Sequence, residues 1–343
     1  MIMKPMGMLL GMLALLALAG TASAQIAAPR LNETTPAVGS PFNPAVMPWN
    51  EVSQAGIVIQ NGITRENTPS GGSTTETATG DGVGVQFRGY ADPFAGGLEY
   101  ASEKLDRNPD PLTLPLGGTE ETKQGLVSLG VMVADWITVG LGYETRDVTE
   151  TDAANPPSKS TKSSMPSLGG TLRFGDAIYV GGTYGQRTID YEEGTRSGSS
   201  EGGVGRVGVG FHTRKDDRGF HLEVYRESEQ LQEMRDLSCD NPATPQVDLC
   251  IPATEGATTG VTLELMYANV LVGVEALNAS IDFVPVAGGL DTHDINTRRV
   301  SLAWVPQKGF SIGVAGRSRE DTNNTSNDVD KDTSTELTVA WLW

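Results

Sequence analysis

The chain has 343 residues and a formal charge of -18, from 43 Asp and Glu against 25 Lys and Arg. An acidic field of that size excludes nucleic acid as a partner, because phosphate binding needs clustered cationic side chains. Only 38% of residues are apolar while glycine reaches 42, which excludes a large helical core and leaves a chain that uses its apolar residues on one face.

Residues 1–24 read as a secretory signal peptide. Lys4 gives a positive start, 6–19 is an apolar stretch rich in Leu, Met and Ala, and Ala22-Ser23-Ala24 fits the small-x-small cleavage pattern, with cleavage before Gln25. The apolar run is short for a spanning helix, which disfavours a retained anchor. No Cys follows it for lipid attachment. The chain then divides into a segment 25–50 and a strand-rich remainder, 51–343. The segment carries Pro29, Pro36, Pro41, Pro44 and Pro48 and has no strand period. Such composition suits either a flexible periplasmic extension or a packed plug.

From residue 51 onward, alternating apolar positions recur in chain order. Weak runs sit at 57–63, 98–100, 168–174 and 178–184. Clear ones include Val83-Val85-Phe87, Val127-Leu129-Val131-Val133, Ile137-Val139-Leu141-Tyr143, Val207-Val209-Phe211, Val261-Leu263-Leu265-Tyr267, Val300-Leu302-Trp304 and Leu337-Val339-Trp341-Trp343. The period of two predicts about fourteen strands. It suits a soluble sandwich as well as a barrel. The connections separate the two. Short turns at 91–96, 134–135, 175–176, 215–219, 268–269 and 306–309 interleave with long polar segments at 66–80, 107–122, 147–164, 191–200, 233–256, 282–294 and 320–333. Strict alternation of this kind belongs to an all-β transmembrane antiparallel barrel with short periplasmic turns and long outer loops. Phe94, Trp136, Phe220, Trp304 and Phe310 fall beside short turns, where aromatic girdles form. The last strand ends on Trp343, which resembles the terminal signature read by the barrel assembly machinery of the bacterial outer membrane.

Within 25–50, Phe42-Asn43-Pro44-Ala45 lies shortly before the first strand. An Asn-Pro-Ala element there, with about fourteen strands behind it, resembles the FadL-like family of outer-membrane hydrocarbon and fatty acid transporters. The resemblance implies an N-terminal hatch, containing Phe42, Asn43, Pro44 and Ala45, that folds into the lumen. It also implies that small hydrophobic substrates pass through a kinked or interrupted strand into the membrane. A general diffusion porin for small polar solutes and a structural or surface-interaction barrel stay open as alternatives.

Polar positions between the outward apolar ones give the lumen lining: Arg88, Glu144, Arg173, Arg206, Arg214, Glu223, Glu264, Glu275, Arg299 and Arg317, with Arg319 and Glu336. So many charges must be solvated or paired across strands, either as a rigidifying ladder or as a selectivity device. Inward glycines at 82, 84, 130, 140, 142, 208, 210, 273 and 313 suggest that lumen space is wanted. His212 and His221 project inward near a short turn beside Glu223, too little for a hydrolase, so no enzyme and no cofactor is expected. His293 is read as solvated in an acidic loop. Cys239 and Cys250 share one long segment of an exported chain, which favours a disulfide over a metal pair. Asp328, Asp330 and Asp332 alternate but lack the Gly and closing Glu of a calcium loop, so the stretch reads as a surface loop near lipopolysaccharide. Outer-membrane lipid and a small-molecule substrate are the remaining expected partners.

Overall fold

The computed structural model describes residues 53–108, 117–152, 159–175, 177–193, 196–215, 218–231, 253–284, 291–306 and 309–343. The signal peptide, the hatch residues Phe42, Asn43, Pro44 and Ala45, and both cysteines, Cys239 and Cys250, lie outside the described residues.

Alternation drives every described segment into a strand. In order these are β1 (Gln54–Thr68), β2 (Thr75–Ala91), β3 (Phe94–Arg107), β4 (Gly118–Ala134), β5 (Ile137–Asp152), β6 (Lys159–Phe174) and β7 (Ile178–Glu193). Then follow β8 (Arg196–Lys215), β9 (Arg218–Leu231), β10 (Ala253–Tyr267), β11 (Val270–Val284), β12 (Asp291–Trp304), β13 (Gly309–Asn323) and β14 (Val329–Leu342). Each strand pairs antiparallel with its sequence neighbours, and β14 returns to β1 to close a fourteen-stranded barrel. Gln54 stands opposite Leu342 and Thr68 opposite Val329. Ser53 and Trp343 seal the seam by exchanging backbone hydrogen bonds of 3.2 and 3.1 Å. Closure leaves no edge strand, so backbone groups in the wall find partners without water.

The side-chain period sorts the two faces. Phe87, Leu129, Leu141, Tyr184, Leu265 and Leu302 point outward and are exposed, while Gln86, Ser128, Glu264 and Ser301, one position away, point inward and are buried. An exposed apolar belt around a closed wall is the face of a protein that lives in a bilayer. Trp136, Tyr267 and Trp304 sit exposed beside short turns, and Phe87 packs near the terminal Trp343 ring at 6.0 Å.

The long polar segments differ from the sequence expectation. Much of 66–80, 147–164, 191–200, 282–294 and 320–333 continues as paired strand. Their Ser, Thr, Asn, Asp and Lys residues satisfy one another across the ladder beyond the apolar belt, as in the 2.7 Å Thr64 to Thr333 and 2.8 Å Asn67 to Asp330 hydrogen bonds. Only two residues separate β7 from β8, so the strict sorting of connections by length fails there. Asp330 and Asp332 belong to β14 rather than to a loop. His293 belongs to β12, with Nδ1 2.9 Å from Asp321, and is not a solvated loop residue. Asp328 does lie outside the strands. It accepts the Ser70 N–H at 2.8 Å, which holds its carboxyl below the usual range. This clip between two connections is therefore present at neutral pH and lost on acidification.

A second departure is in β1. Gly62, at φ 62, makes a bulge between Asn61 and Thr64. The extra residue flips the period, so Ile63, read in one outward run with Ile57 and Ile59, is buried.

Face assignment has a direct test. Leu141→Arg, Leu265→Arg and Leu302→Arg are each expected to lose about 2–4 kcal/mol in vesicle-refolding titrations, whereas Thr259→Arg, outward on β10 but beyond the belt, loses under about 1 kcal/mol. Equal losses at all four positions would show that the belt is misplaced.

Candidate functional site

Pro166 sits within β6, where it has no N–H to contribute to a ladder. β6 and β7 pair as far as Ser164 opposite Thr188 and resume at Ser167 opposite Gly185, with no pairing at Met165 and Pro166. On the other side the ladder to β5 is unbroken, with Tyr143 opposite Pro166 and Glu144 opposite Met165. Met165 is buried on the lumen side. Pro166 is exposed on the outer side, the side of Tyr143, Leu168 and Tyr184. A Cβ on Gly185 would meet Met165 Cγ and the Pro166 carbonyl oxygen at 2.9 Å each. Glycine is what lets β7 approach the interruption at all.

Arg187 faces Met165 across this gap. Its Nη1 donates to Glu229 on β9, two strands away, while its Nη2 lies 3.8 Å from Met165 Sδ and 4.0 Å from Glu144 on β5. Both Arg187 and Glu229 are buried, Glu229 completely. Towards the long-connection end, Ile189 and Leu231 pack together with Tyr191. The lumen face at β7 to β9 is thus ionic at the gap, where Arg187 meets Met165, and apolar towards the long connections, at Ile189, Leu231 and Tyr191.

Nearer the short turns, inward glycines are occupied rather than empty. A Cβ on Gly210 would fall inside the Tyr179 ring, and one on Gly260 inside the Tyr225 ring. Tyr179 lies across β8 so that its hydroxyl donates to Glu223 at 3.0 Å. Arg206 stacks on Tyr225 at 3.5 Å and approaches Glu223 at 3.9 Å. At these two strands glycine makes room for a tyrosine and not for a ligand. His212 and His221 stand opposite each other with ring centroids 5.7 Å apart.

The opposite arc is bound by a continuous ionic chain. Arg107 holds Glu150 at 3.1 Å and Glu120 at 2.8 Å, and Glu120 also holds Arg65 at 3.0 Å. Arg65 continues to Asp332 at 2.9 Å, Asp332 to Arg319 at 3.4 Å, Arg319 to Asp321 at 2.7 Å, and Asp321 to His293. The chain runs from β5 through β1 to β12. It depends on the Gly62 bulge, which turns Arg65 inward.

Other charges named from the sequence have local partners. Arg88 holds Glu99 at 2.8 Å, and Arg299 holds Glu336 at 2.9 Å across β13. Glu275 is buried opposite Arg299, and Glu264 is buried opposite His221. Arg317 lines a small cavity with Glu103, Arg146 and Asp332. Arg173 is half-buried opposite Tyr179, and Arg214 stands in β8 opposite Gly219. The sequence reading missed Arg65, Arg107, Glu120, Met165, Pro166, Arg187 and Glu229. A proline inside a strand was the signal available for the gap, and the parity of Arg187 with Tyr179 was the signal for its inward face.

No protein-family model and no curated protein sequence matches the chain. Among solved structures it is similar to the CymD monoaromatic hydrocarbon channel, at TM-score 0.53 and 10% identity over 95% of this chain and 98% of that one. The Pseudomonas putida toluene transporter TodX gives TM-score 0.52 and 8% identity over 95% and 96%. A deltaS2S3 mutant of TodX gives 0.53 and 9% over 87% and 92%. The fold is that of the FadL-family transporters. At these identities the FadL likeness is one of architecture, and chemistry has to be argued from the wall itself.

Removing one partner of the Arg187 and Glu229 pair leaves a buried charge alone. Glu229→Ala and Arg187→Ala are each expected to cost about 3–5 kcal/mol, and the double variant less than their sum. Urea unfolding in lipid vesicles reads this, and additive losses would mean that the two side chains do not interact.

Proposed function

We propose that the protein is an outer-membrane channel for passive uptake of small hydrophobic molecules, and that they leave the lumen sideways at Met165 and Pro166. The observation that carries this reading is the gap in the β6 to β7 ladder, with the Ile189, Leu231 and Tyr191 cluster beside it on the lumen face towards the long connections and Pro166, Leu168 and Tyr184 on its outer side. A hydrophobic solute held at the cluster lies next to the gap, with apolar surface on the outer side of the wall at Pro166, Leu168 and Tyr184. Below it stands the Arg187 and Glu229 pair. Met165, unbranched and adaptable, is the movable element between the two compartments. The architecture shared with proteins described as a monoaromatic hydrocarbon channel and a toluene transporter supports the same class of cargo.

The segment 25–50 acts as the hatch in this reading. It joins the barrel at Ser53, beside an inward apolar patch of Met266, Leu271, Ala303, Val305 and Leu342 at the short-turn end. Phe42, Pro44 and Ala45 are suited to pack there, with Asn43 supplying polar contacts. Cys239 and Cys250 form the disulfide of their connection.

Two measurements test the proposal. In planar bilayers the intact protein is expected to show little conductance, and deletion of 25–49 to open a steady ion-conducting pore. Large ohmic conductance from the intact chain would instead mark a porin. Pro166→Ala restores a ladder donor, worth about 0.5–1.5 kcal/mol, and is expected to slow uptake of an apolar fluorescent probe several-fold while leaving the folded barrel intact. Unchanged uptake by a folded Pro166→Ala protein would sink the lateral exit.

A further inference from the structure

On the outer surface, just beyond the apolar belt, a groove of about 320 Å³ crosses β3 to β7. Its floor is a register row of small residues, Gly125, Thr145 and Ser164, beginning at Tyr100. The next row towards the long connections reads Lys123, Asp147, Lys162 and Asp190, each directly opposite the next. The rows on the other side are apolar, with Val127 beside Tyr143 and then Leu129, Leu141 and Leu168. Charge, small hydroxyls and hydrocarbon therefore follow one another down a single face.

Two details show that this face is incomplete as it stands. Lys162 is exposed and makes no ion pair among the described residues. Lys123 is half-exposed and held only at its edge by Glu121, 3.0 Å away.

We infer that the groove binds the phosphorylated sugar headgroup of an outer-leaflet glycolipid. Lys123, Lys162 and the hydroxyls of Thr145 and Ser164 donate to phosphate oxygens. Tyr100 offers its ring face to the sugar, and the acyl chains run down over Leu129, Leu141 and Leu168. A simple phosphate satisfies the lysines but leaves the Tyr100 ring and the apolar rows uncovered, which is why the sugar and acyl chains belong to the ligand. The site is separate from the lumen and rests on the bilayer placement of the barrel, not on the lateral exit.

Native mass spectrometry of the full chain in mild detergent tests the inference, with unheated gel mobility reporting independently that each variant is a folded barrel. Wild type and Lys104→Gln, a lysine outside the groove, are expected to retain one diphosphorylated lipid A-type glycolipid. Lys123→Gln/Lys162→Gln is expected to bind it at least tenfold more weakly, and Tyr100→Ala to lose the preference for it over phosphatidylglycerol. Removing the phosphates from the glycolipid weakens binding to wild type to a similar extent. Retention by the folded double-lysine variant equal to that of wild type overturns the site. Competition by inorganic phosphate or phosphatidylglycerol at equal concentration overturns the glycolipid assignment and leaves a general phosphate site.

Discussion

Backbone pairing in the absence of water is the constraint on which everything else in this molecule depends. A wall immersed in hydrocarbon must satisfy its amides internally, so β14 has to return to β1 and each strand has to hold its register along its length. Once the ladder is continuous, the period of two leaves no freedom about faces. Leu141 meets lipid because Gly140 and Gly142 meet the lumen. Polar residues are then forced inward, where they must find one another.

How they do so is set by side-chain reach. Neighbouring strands in a sheet lie about 4.8 Å apart, and an arginine can bridge two of those spacings. Arg187 passes over β8 to Glu229, and Arg299 over β13 to Glu336. Arg65 and Glu120, each leaning into the lumen, together span three spacings, over β2 and β3. These spans tie together strands that are not hydrogen-bonded neighbours and so stiffen the circumference. They also divide the lumen into two arcs, one bound by the Arg107 to His293 chain and one carrying Ile189, Leu231 and Tyr191.

Fold class, strand number and face assignment were legible because they rest on the period of two, which survives in the sequence of every strand. The site was less legible, for two physical reasons. A bulge reverses parity without leaving a mark on composition, so Ile63 and Arg65 read as facing the wrong way until Gly62 is seen at positive φ. The strand ends beyond the bilayer carry no apolar face, so the 191–200 and 320–333 stretches read as loops although their hydroxyls and carboxylates pair across the ladder. Arg187 and Glu229 lie where that polar zone meets the apolar belt, next to Tyr184. Cross-strand partners such as these depend on register, which a single strand's sequence does not encode.

The gap at Pro166 gains its significance from the ion pair beside it. Descent through the lumen at β7 requires a solute to separate Arg187 from Glu229, and exposing a buried charge without its partner costs about 3–5 kcal/mol. An apolar solute returns none of that, since it can accept no hydrogen bond from the guanidinium. In the proposed reading, sideways movement leaves the Arg187 and Glu229 pair joined and requires Met165, whose sulfur lies 3.8 Å from Arg187 Nη2, to change rotamer where the β6 to β7 ladder is already interrupted, a shift on the order of 1 kcal/mol. For a polar solute the ordering reverses, because it can bond to Arg187 but must shed water to pass Tyr184 and Leu168. The same few residues would therefore sort cargo by polarity without a pocket shaped to any one molecule.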